Sequence, residues 1–571
     1  MNSTPEPQKY GIFKASFKIS RDILLGDIKL GTPLLKRIID SHQFQLLDWR
    51  RQLGTVHLIY RNAHHTRLEH SFGVYELSRR LTSTLFSDAE AKSRTVCYPV
   101  TRKNGYLEVE NGSPAKLPPV EEFNLLHVAS ILHDIGNYPF CHQLERSIVL
   151  GLPNHELIGS MIIRRAFSQV DFLSDDDLVS LGLAKKREAL ADIINTKSKE
   201  PSLTAPESLF KEVISGPYGM DFLDYIYRDS FYCGFSTRSS ADFILDHSVL
   251  FFNEEKQAYY FGFTQHVLHE LISLAYLRLD MERKVYSNKT HKIVTEMLAR
   301  AIRVAIDEAR LNVNELCLLT DDGLLSDLEH RDSPQECRKM VNLIRSRKLY
   351  EVVHRFDALR PDVNPTVRHA LRMWNLQQIN ELKKRIHEEL ADRSVDEEDV
   401  LVSFPHPEER VCKEGDVLVL LESGEIRKLG DLDPWISYYE KEYMNLRKYL
   451  ILLSGDAFPR TGNRIKELLI NNFEKWVLEI HGVERFTVQS LEDKLQSLTD
   501  VEQHILAELL QKGLTAEELA AKSGKRRNTM VYHLGKLNQK GLIRKERRGK
   551  EIIYNVLAEY AEYVSKRLDK T

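Results

Sequence analysis

The chain has 571 residues, 42% of them hydrophobic and 29% charged, with a formal charge of -3 at neutral pH. That length exceeds what one hydrophobic core supports, so two to four globular units are expected, and the near-neutral balance excludes a globally basic nucleic-acid-binding chain. No apolar run approaches the ~18–20 residues that span a bilayer. The opening MNSTPEPQKYGIFKASF carries no secretory pattern, and six cysteines lack CxxC spacing, so a cytoplasmic protein with reduced thiols is expected.

Helical periodicity dominates the chain, with apolar residues recurring at three and four over 67–87, 121–136, 155–168, 264–311, 369–391 and 436–453. The first of these opens on HTRLEHSFGV, where Arg67 and His70 are three apart and share one helix face. The second ends on His133-Asp134, after the apolar run LLHVASIL. An imidazole beside a carboxylate is a mixed N/O chelate suited to manganese, magnesium, iron or zinc. Further on, MDFLDYIYRDS repeats Asp221, Tyr225 and Asp229 every four residues, which makes one polar stripe on a helix while Phe222 and Ile226 point elsewhere. Each feature alone also fits a capped or amphipathic helix; it is their joint order that points to a metal site.

Beyond about residue 310 the chain reads as a second, helical lobe, with a small hairpin at 416–429 turning on Ser423-Gly424. From about 496 its character changes again. Thr515 with Glu518 forms a capping box, a short helix stops at Gly524, a second runs from near Asn528 to Lys540-Gly541, and LIRKERRGKEIIYNV alternates as a ribbon. The expected units are therefore 1–310, 311–495 and 496–571, in a mainly α chain. The last has the element order of a winged helix-turn-helix. Arg526, Arg527, Lys536, Arg547, Arg548 and Lys550 crowd its second helix and ribbon, a placement suited to DNA or RNA phosphates. A basic, solvated protein-interaction face is the alternative.

His70, His133, Asp134 and Asp221 follow the order H…HD…D. With RIIDSHQFQLLDWRRQLG (37–54), LHDIGNYPFCHQLE (132–145), NHELIGSMII (154–163), DFLDYIYRDSFYCG (221–234) and RLDMERKVYSNK (278–289), the chain resembles the deoxynucleoside triphosphate triphosphohydrolase branch of the HD superfamily over roughly residues 25–300. The resemblance implies an HD-type helical core in which those four residues bind one divalent ion. It also implies attack of water on the α-phosphorus, releasing deoxynucleoside and triphosphate. By the same resemblance His142 stands as proton donor to the leaving 5′-oxygen, with Glu145 raising its pKa, and His155 as a phosphate contact or proton partner. Arg67 and Arg278 are implied as phosphate contacts, Gln52 and Leu53 as the sugar-facing loop, Tyr225 as the side chain that rejects a 2′-hydroxyl, Asp229 as partner of the 3′-hydroxyl and Tyr286 as an aromatic near sugar or base. Asn137 stands where the family carries histidine, and can donate a hydrogen bond to phosphate but not a proton. Phe222 stands where some relatives carry lysine.

These implications make deoxynucleoside triphosphates the expected substrates of a homo-oligomer, in nucleotide-pool control or in phage defence, with regulation by nucleotide or nucleic acid. Two other readings use the same residues: a metal-dependent nuclease of single-stranded nucleic acid, and a nucleotide-sensing DNA-binding regulator.

Overall fold

The computed structural model describes residues 17–31, 34–91, 95–103, 106–110, 113–167, 170, 172–196, 203–235, 240–357, 363–389, 395–404, 414–446, 448–481, 498–511, 513–539, 543–548 and 551–556. The chain divides into two compact units, one of Met1–Arg355 with Asp399–Pro459, the other of Phe356–Glu398 with Arg460–Thr571. Residues 311–355 and 399–459, expected from the sequence in a second lobe, thus lie in the first unit. Among the described residues no helix is long and apolar enough to cross a membrane.

The first unit is built on helices α1 (Arg67–Ala91), α2 (Phe123–Leu132), α3 (His142–Glu145), α4 (His155–Ile163), α5 (Met220–Tyr232), α6 (Leu268–Met281) and α7 (Lys289–Asp307). Helix α2, FNLLHVASIL, is buried at nine of its ten positions, which is why it is apolar all round; α1 packs against both it and α5. One continuous hydrophobic cluster runs from Ile28 through these helices to Leu452. Asn154 caps α4, its side chain accepting from the Leu157 N–H at 2.9 Å.

The periodic run 264–311 is two helices rather than one. A turn of π-helix at Glu282–Tyr286 interrupts it, and Asn288 caps a fresh start. The run 436–453 is likewise not one helix. Its helix ends at Asn445, and Tyr449–Leu453 is a strand buried at every position. An all-apolar strand in mid-sheet shows no alternation, so periodicity cannot separate it from a buried helix.

Strand content exceeds the single hairpin expected. The first unit contains β1 (Phe17–Asp22), β2 (Gly26–Gly31), β3 (Cys97–Lys103), β4 (Tyr106–Val109), β5 (Ser248–Asn253), β6 (Ala258–Thr264), β7 (Glu351–Phe356, up to Arg355), β8 (Val400–Ser403), β9 (Leu418–Leu420), β10 (Ile426–Lys428) and β11 (Tyr449–Leu453). The expected hairpin is β9–β10, turning on Gly424 at φ +82, and it joins a mixed sheet in the order β10-β9-β6-β5-β3-β4.

In the second unit α8 (Asp500–Gln511), α9 (Ala516–Ser523) and α10 (Arg527–Gln539) precede β13 (Ile543–Arg548) and β14 (Glu551–Val556); β14 pairs with β13 on one side and with the short β12 (Leu514–Thr515) on the other. The Thr515/Glu518 capping box forms, and Gly524 ends α9 in the left-handed conformation. Leu506, Leu519, Met530, Leu534 and Leu537 are buried in a cluster of their own.

Candidate metal centre and substrate cavity

Three helices converge their ends on one point. Helix α1 brings His70 in its first turn, α2 delivers His133 as its C-cap with Asp134 next, and α5 brings Asp221 in its first turn. The Nε2 atoms of His70 and His133 lie 3.2 Å apart. Asp221 Oδ1 is 3.2 Å from the first and 3.8 Å from the second. Asp134 Oδ2 is 3.7 and 3.6 Å from the same two atoms. Ligands bonded to one ion at ~2.0–2.2 Å are separated by about 3 Å or a little more, so these donors fit a divalent cation. Both imidazoles are held with Nε2 toward the cluster: His133 Nδ1 donates to the Ser130 carbonyl at 2.8 Å, and His70 Nδ1 to Asp224 Oδ2 at 2.7 Å. The charge field also fits. Burial works against a charged His70, yet Asp221 and Asp224 raise its pKa to about 9, so positive charge is wanted at this spot. Burial likewise opposes ionisation of Asp134, but Arg67 and the surrounding imidazoles hold it well below the usual carboxylate range.

The second layer is one that the sequence reading misses. Asp224 pairs through both oxygens with Arg228 at 2.9 and 2.8 Å, and Arg228 reaches Asp22 at 2.7 Å. The signal is present as an i,i+4 Asp/Arg pair flanking the polar stripe on α5, but such a pair normally reads as a solvated surface contact. Gly73 leaves it room, since a Cβ there would stand 1.8 Å from Asp224 Oδ1. Arg67 also belongs to this layer. Expected as a phosphate contact, it donates to Asp134 Oδ2 at 2.6 Å, to Cys141 Sγ at 2.9 Å and to the Gln52 carbonyl at 3.2 Å.

A second cluster stands beside the first. Glu145 Oε2 accepts from His155 Nδ1 at 2.8 Å and from His142 Nδ1 at 3.1 Å, and His155 Nε2 lies 3.5 Å from Asp134 Oδ1. Glu145 does act upward on His142, as expected, but the enclosing protein and Arg67 outweigh it and push that pKa down to about 4. His155 goes the other way, with Glu145 and Asp134 prevailing over burial. The proton of this pair therefore resides on His155.

His142 is presented by a strained corner. Phe140 and Cys141 both have positive φ, at 55 and 53, a conformation costing ~1–3 kcal/mol per residue unless its surroundings enforce it. Here Asp321 does so, accepting from the Phe140 N–H at 2.8 Å and the Arg51 N–H at 3.0 Å. The wholly buried Arg50 donates to the carbonyls of Asn137, Cys317 and Leu319. Close contact between the metal loop and α4 depends on Gly136, where a Cβ would meet His155 O and Gly159 N at 2.2 Å each.

Both clusters open on one cavity of about 490 Å³. Its walls include Gln52, Leu53, Arg67, His133, Asp134, His142, Glu145, His155, Asp221, Tyr225, Asp229, Arg278 and Tyr286. Asn137 is not among them. It is fully buried, its side-chain N–H donating to the Asp134 carbonyl at 3.1 Å, so the phosphate contact expected of it is not in place. Asp229 is engaged on both oxygens, by His65 Nε2 at 2.8 Å and by the Tyr286 hydroxyl at 2.8 Å. His65, buried and stacked on Tyr232 at 4.4 Å, is another residue that sequence reasoning passes over. Arg278 lies 5.0 Å over the ring of Tyr225 and 5.9 Å from that of Phe222.

In the second unit Arg526, Arg527 and Lys536 are exposed. Arg527 is ion-paired with Glu517, and the Lys536 ammonium sits 4.7 Å over Tyr532. Arg547 and Arg548 are on β13, with side chains outside the described set, and Lys550 lies outside the described residues.

Residues 67–215 match the family model of the HD domain, and residues 271–452 that of an HD associated region. The chain is 25% identical over 466 residues to an uncharacterised protein of Methanocaldococcus jannaschii, covering 81% of this chain and 83% of that one. It is 24% identical over 361 residues to a Dictyostelium discoideum homologue of the deoxynucleoside triphosphate triphosphohydrolase SAMHD1, covering 60% of each. To the human protein of that name it is 23% identical, covering 59% of this chain and 55% of that one. Among solved structures, a phosphohydrolase from Bacteroides thetaiotaomicron is similar in fold, with a TM-score of 0.52 at 19% identity, covering 77% of this chain and all of that one.

Proposed function

We propose that the chain hydrolyses deoxynucleoside triphosphates to deoxynucleoside and triphosphate with the help of a divalent ion. The observation that carries this reading is the His70–His133–Asp221 cluster, with Asp134 beside it, next to a Glu145-bridged histidine pair at one cavity large enough for a nucleotide, which His133, Asp134 and Asp221 line. His70, His133, Asp134 and Asp221 would hold a divalent ion, which when bound would supply Lewis-acid polarisation of a phosphoryl oxygen and a more acidic water.

The chain's own residues do the rest. Arg278 offers a cation to the triphosphate from its place over the Tyr225 ring. Tyr225 and the Tyr286–Asp229–His65 chain form a rigid wall for a sugar, one that leaves a 2′-hydroxyl without a partner. As a water oxygen bonds to the α-phosphorus and the P–O5′ bond breaks, the leaving oxygen takes a proton from Nε2 of His142, the ring nitrogen not engaged by Glu145, and the proton released by the water restores the histidine pair. His142 is neutral in the free protein, so the bound polyphosphate's negative charge recruits the proton, and His155 with Glu145 forms the reservoir behind it.

Within the second unit, residues 496–571 have the element order of a winged helix-turn-helix, and from Leu519 to Lys545 they carry eight Lys/Arg and no Asp/Glu. That field favours nucleic-acid phosphates, and we assign it the role of localising or regulating the enzyme. The test is product analysis by chromatography after incubation with each nucleotide and each of manganese, magnesium, iron and zinc. Deoxynucleoside plus intact triphosphate is expected; shortened oligonucleotides with untouched triphosphates would replace this reading with a nuclease. Removing 496–571 should leave basal hydrolysis in place.

A further inference from the structure

No described residue of the β1–β2 hairpin lines the cavity, yet its turn is wired to His70. Asp22 Oδ1 accepts from the Leu24 and Leu25 N–H groups, each at 2.9 Å, which shapes the turn, and Gly26 closes it at φ +77 opposite Asp22. The other oxygen, Oδ2, accepts from Arg228 Nη1 at 2.7 Å. Arg228 gives its Nε and Nη2 to Asp224, whose Oδ2 also takes the Nδ1–H of His70. The side chains of Asp22, Arg228, Asp224 and His70 are 6, 0, 2 and 1% exposed, so water does little to screen any link. There is little slack either. A Cβ at Gly73 of α1 would stand 1.8 Å from Asp224 Oδ1 and 2.6 Å from Arg228 Nη2. The hairpin is fastened to the same helix, with Arg80 Nη2 donating to the Leu25 carbonyl at 2.5 Å, and Ile28 and Leu30 seated in the main core.

One carboxylate is enough to orient His70 and to neutralise Arg228. Here two share a single buried guanidinium, which leaves one formal negative charge in excess behind the imidazole, and that excess favours a cation at the ligand cluster. We propose that Asp22 is a positioning residue for the metal, acting from the hairpin through Arg228 and Asp224, so that seating of the hairpin and affinity of the metal centre are one coupled equilibrium. The proposal rests on the metal centre and not on the reaction assigned to the cavity. When Asp22 is withdrawn, the whole charge of Arg228 falls on Asp224, which becomes a poorer acceptor for His70, and Nη1 loses its carboxylate. Coupling between two sites is reciprocal, so a bound ion must hold the hairpin down by the factor with which the hairpin holds the ion.

The test is calorimetric titration of Asp22→Asn with manganese. Asparagine keeps an oxygen for the Leu24 and Leu25 N–H groups but turns an NH₂ toward Arg228. Affinity should fall by about 3- to 10-fold, less than the roughly 10- to 100-fold of a partner that touches the ligand itself. Asp27→Asn removes the same charge from the same hairpin, at an exposed pair with Arg21, and should change nothing. Guanidinium unfolding without metal checks that Asp22→Asn is folded. In the double variant with Asp224→Asn the losses should be less than multiplicative, because both break one path. A second readout needs no variant: saturating manganese should slow hydrogen exchange of the β1, Leu24, Leu25 and β2 amides by about the same 3- to 10-fold in the unaltered chain. Unchanged affinity in folded Asp22→Asn, an equal loss in Asp27→Asn, multiplicative losses, or hairpin exchange indifferent to manganese would each overturn the proposal. An unaltered chain that binds no manganese removes the metal centre and the proposal together. Manganese binding that depends on Asp22, without turnover of any triphosphate, supports the proposal and removes the hydrolase reading alone.

Discussion

Asp224 stands behind His70, outside the ring of ligand atoms and away from the cavity wall, yet its removal should cripple the metal centre. Its Oδ2 takes the Nδ1–H of His70 at 2.7 Å, which holds the ring with Nε2 aimed at the ligand cluster and makes Nε2 the nitrogen that gives up its proton when an ion binds. Asp224→Asn keeps the volume but cannot serve both neighbours. If its oxygen faces His70, its NH₂ faces the Arg228 guanidinium; if it flips, His70 meets a donor. Second-layer losses of this kind cost about 10- to 100-fold in metal affinity, or about 1.4–2.7 kcal/mol. Asp224→Ala should do more. It leaves Arg228, at 0% exposure, with Asp22 as its remaining charged partner in this network, and breaking a buried pair costs about 3–5 kcal/mol of stability. The assay is calorimetric titration with manganese, paired with guanidinium unfolding in the absence of metal. Asp280→Asn, which removes an exposed carboxylate paired with Lys284, is the control and should change neither. A folded Asp224→Asn protein that binds manganese as tightly as the unaltered chain would refute the reasoning.

Three further outcomes are expected. Asp134→Ala should abolish metal-dependent turnover and also destabilise the free protein, because it strands the buried Arg67; activity and melting assays read the two effects separately. Gly136→Ala should destabilise by about 1–3 kcal/mol or more and lower kcat beyond any effect on metal binding, since the added carbon drives α4 and His155 away; unchanged unfolding and kinetics would contradict this. His127 is buried against Thr82 and held down at about 3, so it stays neutral in the native state while the unfolded chain takes a proton below about pH 6.5. The native state binds fewer protons in that window, so stability must fall as pH drops from about 6.5 toward 3. His127 alone accounts for about 1.4 kcal/mol at pH 5.5. His127→Gln should flatten the difference between unfolding midpoints at pH 7.5 and 5.5 by that amount, and an unaltered slope would show that His127 does not contribute.

The sequence is most legible where chemistry and periodicity coincide. Asp221, Tyr225 and Asp229 read as one stripe, and all three line the cavity. Arg67 and His70 read as sharing a face, and the first turn of α1 turns both toward Asp134. The Thr515/Glu518 capping box forms because it is purely local. Legibility fails where residues far apart in the chain decide the outcome. Nothing near 449–453 says that YLILL pairs with Val400–Ser403 instead of extending a helix. Nothing near Asn137 says that the loop buries its side chain, since Arg50 and the 317–321 segment hold that loop from outside.

Helix faces, caps and the set of metal-ligating residue types were determined by the sequence itself, because they depend on spacings within a few residues. The tertiary structure alone decided that Asp224 and Arg228 stand behind His70, that Arg67 serves Asp134, and that the pKa of His142 is pushed down while that of His155 is pushed up. Those outcomes arise from desolvation and from charges brought together across the fold, and such energies exist only once the chain has closed around them.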